Sequence, residues 1–443
     1  MNRIILIFFI ALVGSSCTTD PKQPSSNELL SNQEKIPAIL LELTEQLESA
    51  LDNQDADRRA LDFLKSRNTP LTSLEGLTFV YYESGKNLAS QVTLTGDFLP
   101  GTGEKILTHV KNTRLHFTTI PGIIPDGATY QYILEGVTGP RPVLDPFNPQ
   151  IKYAKPIRNL IRTLESPKST LQYFPDMKPK RVNPKRDVYV YLPPGYALNP
   201  EKRYPVLYMH DGQQLWDSRA AANGGWKMDT TADALIAQGK IEPLIIVGVE
   251  NTSKRPEEYV GFGAYFQAPE GLDTSKKAEI LALSQGYSDY LITVLKPFID
   301  TNFRTLPDRE NTGIAGSSFG AGISLWVGMS HSNLYSRIAA FSGGNYLYDD
   351  ETRKDKNFYQ PYPFLVQQVI QEKIPVKLYV DCGGKDVDAI FLPHTRNLIE
   401  ALLQKGWKEG VDLMTVIDEN AGHNEIQWAK RAGTMLEFLF PHR

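Results

Sequence analysis

Residues 316–320 read Gly316-Ser317-Ser318-Phe319-Gly320 and fit the pattern G-x-S-x-G, with Ser318 at the centre. A serine in that setting stands on a sharp strand-to-helix turn that presents its hydroxyl as a nucleophile. A hydroxyl alone attacks poorly at neutral pH, so it needs a histidine to take its proton and a carboxylate to orient that histidine. On a doubly wound α/β sheet the chain order is nucleophile, acid, histidine. Residues 374–380 (IPVKLYV) read as a buried strand that runs into Asp381-Cys382-Gly383-Gly384-Lys385-Asp386. Paired glycines let the chain turn just before a carboxylate, so Asp386 is the first choice of acid and Asp388 the alternative, while Asp381 still belongs to the strand end. Residues 411–417 (VDLMTVI) read as a last strand, followed by a loop that reaches Gly422-His423. His423 is the expected base. His394 also follows in order, but on a helix beginning near Pro393 it points away from a site at strand ends.

Attack on a carbonyl creates an oxyanion that needs N–H donors already in place. One is the amide of Phe319, directly after the serine. The other should come from a loop after an earlier strand. Residues 204–209 form such a strand, and His210-Asp211-Gly212-Gln213-Gln214-Leu215-Trp216 follows it. Gly212 lets the backbone turn, and the amide of Gln213 or of Gln214 then donates. Around the serine, residues 312–316 are small or apolar like a buried parallel strand, and residues 321–329 continue as a helix. These elements predict an α/β fold with a doubly wound, mostly parallel sheet.

The segments YVYLPPGY (189–196), RYPVLYMHDGQQLWD (203–217), IIVGVENTSKRPEEY (245–259), GSSFGAGISLW (316–326), GGKD (383–386) and GHNEIQW (422–428) carry a resemblance. Together they resemble the esterase group of α/β-hydrolases that holds enterochelin (iron-siderophore) esterases, feruloyl and acetyl xylan esterases and S-formylglutathione hydrolases. The resemblance covers residues 180–443 and implies an α/β-hydrolase with Ser318, Asp386 and His423 as its triad. Arg255, Glu258 and Tyr259 match an R-x-x-E-[YL] segment that lies near the pocket in enterochelin-type members, which implies substrate contact. Arg255 there would pair with a carboxylate or polyphenolate. Trp216, with Trp226, Tyr259, Tyr265 and Phe266, would give an aromatic wall suited to a phenolic acyl group.

The N-terminus sets a compartment. A basic start at Met1-Asn2-Arg3 precedes an apolar run over residues 4–13 and the small residues Gly14-Ser15-Ser16-Cys17. The run is shorter than the ~20 residues a membrane span needs and reads as an export signal over residues 1–17. Ending at Cys17, it resembles a bacterial lipobox, with Cys17 the lipidated first residue of an exported, membrane-anchored lipoprotein of the cell envelope. Cys382 is the other of two cysteines. With Cys17 lipidated no internal disulfide is expected, and Cys382 reads as buried packing. Residues 18–70 form a polar tether and then a helical segment, with Ile36, Leu40, Leu43, Leu47 and Leu51 three to four apart.

Residues 75–150 carry short alternating strands, a small β-sandwich. They resemble the immunoglobulin-like, glycogen-binding-type module that precedes the esterase in several members of the group. None of the five tryptophans lies before Trp216, so sugar stacking is not expected of it and a role in shaping the pocket is. Residues 151–185 read as a linker and 186–443 as the catalytic domain.

With 443 residues, 41% hydrophobic, and a net charge of −4, the chain can bury more than one core and has no general attraction for nucleic acid. It has no H-E-x-x-H or clustered Cys/His spacing, no P-loop and no dinucleotide fingerprint, so neither a metal nor a cofactor is expected. The expected reaction is hydrolysis of a small-molecule or glycan-linked carboxylic ester through an acyl-enzyme. The alternatives are cleavage of thioester or peptide bonds, and a hydrolase fold without activity that serves as a surface binding protein.

Overall fold

The computed structural model describes residues 35–67, 69–83, 88–136, 139–163, 166–180, 184–217, 221, 224–260, 274–343 and 372–442. Residues 1–34, including Cys17, lie outside them, as do Tyr265 and Phe266. No helix among the described residues is long and apolar enough to cross a membrane.

The chain opens with helices α1 (Ala38–Glu48) and α2 (Asn53–Lys65). Leu40, Leu43 and Leu47 of α1 are buried, as their spacing predicts, against Phe63 and Leu64 of α2. Leu51 departs from that stripe because α1 ends before it, which leaves it 92% exposed. Next come β1 (Leu71–Ser73), β2 (Gly76–Tyr82), β3 (Gln91–Gly96), β4 (Glu104–Ile106), β5 (Thr108–His109), β6 (Leu115–Ile120), β7 (Thr129–Gly136) and β8 (Gly139–Val143). Strands β1-β2-β6-β5 form one antiparallel sheet. Its Phe79 packs edge-on against Tyr130 of β7, with centroids 4.9 Å apart, so the two sheets share an apolar layer that also buries Val92, Leu94 and Tyr132.

The stretch expected as a linker, residues 151–185, carries strands that pair into the sheet. Strands β9 (Gln150–Lys152), β10 (Arg158–Leu160) and β11 (Thr170–Met177) run through it. Strand β10 pairs with β7 and β9, and β9 pairs with β11. These pairings join the N-terminal strands to the C-terminal ones in a continuous sheet. The short strands hold because buried Asn148 and Asn159 satisfy backbone groups that so few ladder bonds leave open: Asn159 Nδ2 donates to Asn148 O (2.8 Å), and Asp145 N donates to Asn159 Oδ1 (2.7 Å).

The C-terminal strands are β12 (Arg186–Leu192), β13 (Val206–His210), β14 (Ile245–Val249), β15 (Thr312–Ser317), β16 (Arg337–Phe341), β17 (Lys377–Gly383) and β18 (Leu413–Asp418). Their order is β18-β17-β16-β15-β13-β14-β12-β11, parallel from β18 to β14 and antiparallel at β12 and β11. Strands β13 to β16 are buried at every position, as strands covered on both faces must be. Helices α3 (Met228–Ala237) and α9 (Glu425–Leu439) cover one face. The other lies under α4 (Arg255–Val260), α5 (Thr274–Tyr290), α6 (Lys296–Asn302), α7 (Phe319–Ser330) and α8 (Asp388–Gln404). Cys382 is wholly buried, and burial pushes its thiol up to about 12, the behaviour of a packing residue.

Candidate active site

Ser318 directly follows β15 and caps α7 with φ 58° and ψ −124°. A side chain held at positive φ costs on the order of 1–3 kcal/mol and persists only where its surroundings impose it. Here Ser318 N–H bonds Phe341 O at 3.0 Å, tying the turn to the end of the neighbouring strand. Gly316 is required by close approach: a Cβ there would meet Gly320 O at 2.7 Å and the His210 ring at 2.9 Å. Ser318 is 8% exposed, at the carboxyl edge of the sheet.

The acid loop corrects the sequence reading. His423 Nδ1 lies 2.6 Å from Asp388 Oδ1, and Asp386 does not reach the ring. Strand β17 continues through Gly383, so the turn falls at residues 384–387 and the first residue of α8, Asp388, is the carboxylate that folds back toward the strand end. Its Oδ2 accepts from Gly383 N–H (2.9 Å) and Ser342 Oγ–H (2.7 Å). A Cβ on residue 383 would sit 2.4 Å from that carboxylate, which makes Gly383 part of the acid's seat. Asp386 takes φ 55° and lies against the backbone of Gly422. The acid and histidine loops are tied together, since the N–H groups of Gly384 and Lys385 both donate to Ala421 O (3.0 and 2.9 Å).

The His423 ring stands edge-on to Trp428 (4.9 Å) and packs on Phe391 (5.5 Å), the first turns of α9 and α8. Behind it is a second polar layer that the sequence did not reveal. Ser342 Oγ, which donates to Asp388, accepts from Trp428 Nε1 at 2.9 Å. Arg431 pairs with buried Asp381 through Nε (2.9 Å) and Nη2 (3.1 Å). These groups start from β16, β17 and α9, so the acid is held by three elements that meet only on folding.

On the opposite side of Ser318, β13 is followed by Asp211 at φ 58° and a 3₁₀ turn, Gly212–Gln214. A Cβ on Gly212 would meet Gly248 C at 2.4 Å, so the turn lies directly on β14. Asp211 accepts two bonds from Arg255 (Nε 2.7 Å, Nη2 2.8 Å) and one from Asn251 Nδ2 (2.6 Å). Burial pushes this carboxyl up, but Arg255 outweighs it and holds Asp211 below the usual carboxylate range. Of the two glutamines, Gln214 already donates its N–H to Asp211 O at 2.8 Å. That leaves the Gln213 amide as the remaining candidate donor.

The other residues matched by the resemblance serve the scaffold. Arg255 is committed to Asp211, and its guanidinium also lies over the rings of Tyr259 (5.2 Å) and Phe319 (5.3 Å). Glu258 is buried in an ion pair with Arg186 and accepts from Thr252 Oγ1. Tyr259 is buried between His210 and Tyr287. Trp216 is fully buried beneath β12 and β14, and Trp226 packs behind Trp428. None of Glu258, Tyr259 and Trp216 is exposed to a ligand. The motif reports residue types, and those types serve a buried charge pair as well as they serve a pocket.

His210 lies under the serine turn and shares a hydrogen bond between Nδ1 and Tyr287 Oη at 2.7 Å. Burial drives its pKa from an ordinary 6.5 down to about 3. A base depressed in the folded state contributes stability that is present above pH 6.5 and lost as the pH falls toward 3. Between pH 7 and 4.5 this residue alone should account for a loss on the order of 2–3 kcal/mol. His210→Asn is therefore expected to flatten the acid limb of the stability curve by that amount, read from urea unfolding at the two pH values. Equal acid sensitivity of the two chains would place the effect elsewhere.

The family model described as "Putative esterase" matches residues 180–438. Among curated proteins, an endo-1,4-beta-xylanase/feruloyl esterase of Xylanibacter ruminicola is 28% identical over 259 residues, 57% of this chain and 29% of that protein. The chain thus spans under a third of that relative's length. An uncharacterized protein of Bacillus subtilis, YbbA, is 20% identical over 57% of this chain and 91% of its own length. Of solved structures, a ferulic acid esterase from Anaeromyces mucronatus is 20% identical with a TM-score of 0.43, over 62% of this chain and 93% of that one. An enterobactin esterase from Shigella flexneri is 12% identical with a TM-score of 0.41, over 82% and 92%. The family match takes in every catalytic strand from β12 to β18 and both loops that meet at His423, and the chain belongs to this esterase family.

Proposed function

We propose that the chain is a serine carboxylic ester hydrolase working through an acyl-enzyme. The observation that carries this reading is the 2.6 Å bond between His423 Nδ1 and Asp388, made by the loops after β18 and β17 at the same sheet edge where Ser318 stands in its strained turn. Ser318 Oγ attacks the ester carbonyl while His423 Nε2 takes its proton. Asp388 holds the tautomer with the proton on Nδ1 and stabilises the imidazolium as it forms. The N–H groups of Phe319 and Gln213 receive the oxyanion. His423 then protonates the departing alcohol, and water repeats the sequence on the acyl group.

A hydroxycinnamoyl or catecholoyl ester is the favoured substrate class. The support for it is a curated relative, matched over 259 residues, that carries the name feruloyl esterase; Phe391 and Trp428, which pack on His423, are themselves buried. The test is a fluorophosphonate probe, expected to label the wild-type chain and not Ser318→Ala. A panel of methyl ferulate, a 2,3-dihydroxybenzoyl ester, p-nitrophenyl acetate, a thioester and a peptide should then show turnover of the esters, the aromatic ones fastest. A folded wild-type chain that takes no label would leave the hydrolase fold without this activity.

A further inference from the structure

Gln213, the proposed oxyanion donor, is braced from outside the catalytic strands. The Tyr153 hydroxyl donates to the Gln213 carbonyl at 2.8 Å. Tyr153 belongs to the connection between β9 and β10, where the N-terminal strands join the catalytic sheet. The peptide unit it touches is gripped from its other side as well, because Gln214 N–H donates to Asp211 O at 2.8 Å. A peptide is planar, with C=O and N–H pointing opposite ways, so holding both ends fixes its orientation and with it ψ of Gln213. The side chain is tied too: Asn251 N–H donates to Gln213 Oε1 at 3.2 Å. On the N-terminal side Gly212 lies against β14 with no room for a Cβ, so the peptide carrying the Gln213 N–H has little freedom left.

Tyr153 is itself firmly seated. Its ring stands edge-on to Tyr189 of β12, with centroids 5.4 Å apart. The strands on either side of it are locked through Asn159 and Asn148, and Asn148 Nδ2 donates to the hydroxyl of Tyr130 (3.0 Å), in the core between the two N-terminal sheets. A line of contacts therefore runs from that core to the turn that lies beside Gly320 of the serine elbow. We infer that Tyr153 is a positioning residue for the oxyanion hole, and that the N-terminal β-module is through it a working part of the hydrolase. The inference rests on the ester-hydrolase reading above.

Tyr153→Phe in the full chain keeps the ring and its contact with Tyr189 and removes only the hydroxyl. Complete loss of an oxyanion donor costs about 10²–10³ in kcat, and a donor left in place but loosely aimed should cost roughly tenfold. Kinetics are referred to active enzyme counted by fluorophosphonate titration, which takes misfolded chain out of the comparison. With p-nitrophenyl acetate, kcat is expected to fall about tenfold with KM unchanged within twofold. The inhibition constant of phenylboronic acid should rise by the same factor, because the tetrahedral adduct on Ser318 puts an oxygen into the same hole. Tyr191→Phe removes another hydroxyl of β12, one that donates to Asp233 Oδ1 at 2.6 Å, and should keep wild-type values. Wild-type kcat and boronate affinity in Tyr153→Phe overturn the inference, as does an equal loss in Tyr191→Phe. A wild-type chain that neither hydrolyses the ester nor binds the boronate overturns the hydrolase reading itself, a result visible before any variant is made.

Discussion

Asp388→Asn is expected to lower kcat by ~10⁴ with little change in KM, whereas Asp386→Asn should cost less than tenfold. The size follows from what the amide would do in this seat. Oδ2 of Asp388 accepts from Gly383 N–H and Ser342 Oγ–H, so an asparagine keeps its oxygen there and turns its NH₂ toward His423. That NH₂ can only donate, which forces Nδ1 of the imidazole to accept and moves the ring proton to Nε2. Nε2 is then unable to take the proton of Ser318, although every heavy atom is in place. Asp386 lies against Gly422 and makes no bond to the imidazole, so its loss touches the loop and not the tautomer. Steady-state kinetics of the two variants on p-nitrophenyl acetate decide the matter. A large loss in Asp386→Asn with activity retained in Asp388→Asn would return the acid to position 386.

That reversal shows where sequence reading stops. The serine turn was legible because everything it needs is local: a glycine two before the serine, another two after it, a strand in front and a helix behind. His423 was legible for a similar reason, as the histidine on a loop after the last strand. The acid was not, because its identity turns on where β17 ends. Gly383 reads as turn material, yet it remains in the ladder beside Asp418, and three residues of strand move the carboxylate from position 386 to 388. The β9 and β10 strands were missed because three residues are too few to show an alternating pattern, and the bonds that hold them come from Asn148 and Asn159. Ser342 and Arg431 stand behind the acid from 46 and 43 residues away, with no motif linking them to it.

Glu258→Gln should destabilise the fold by about 3–5 kcal/mol, the cost of leaving its buried partner charge unpaired, while KM per active molecule changes less than twofold. The resemblance to enterochelin-type members implies the reverse: weaker substrate binding with stability intact. Glu258 Oε1 accepts from Arg186 Nη2 at 2.6 Å, and both side chains are fully buried. Burial disfavours the charge on Arg186, and Glu258 outweighs it, so the guanidinium stays charged above its usual range. Its face lies over Tyr287 (4.7 Å) and Tyr290 (5.2 Å), and no ring replaces a carboxylate as a counter-charge. Urea unfolding and substrate saturation curves on one preparation separate the two readings. A second variant removes the remaining ambiguity. Taking out both charges at once, with Arg186→Met and Glu258→Leu, leaves nothing buried and unpaired, and should recover most of what Glu258→Gln loses. Recovery would mean that the pair keeps its own charge neutral beneath the Tyr287–His210 contact under the serine turn. Were the double variant as unstable as the single one, the loss would lie in the Thr252 bond to Glu258, and with it in the loop that carries Asn251 to the oxyanion turn.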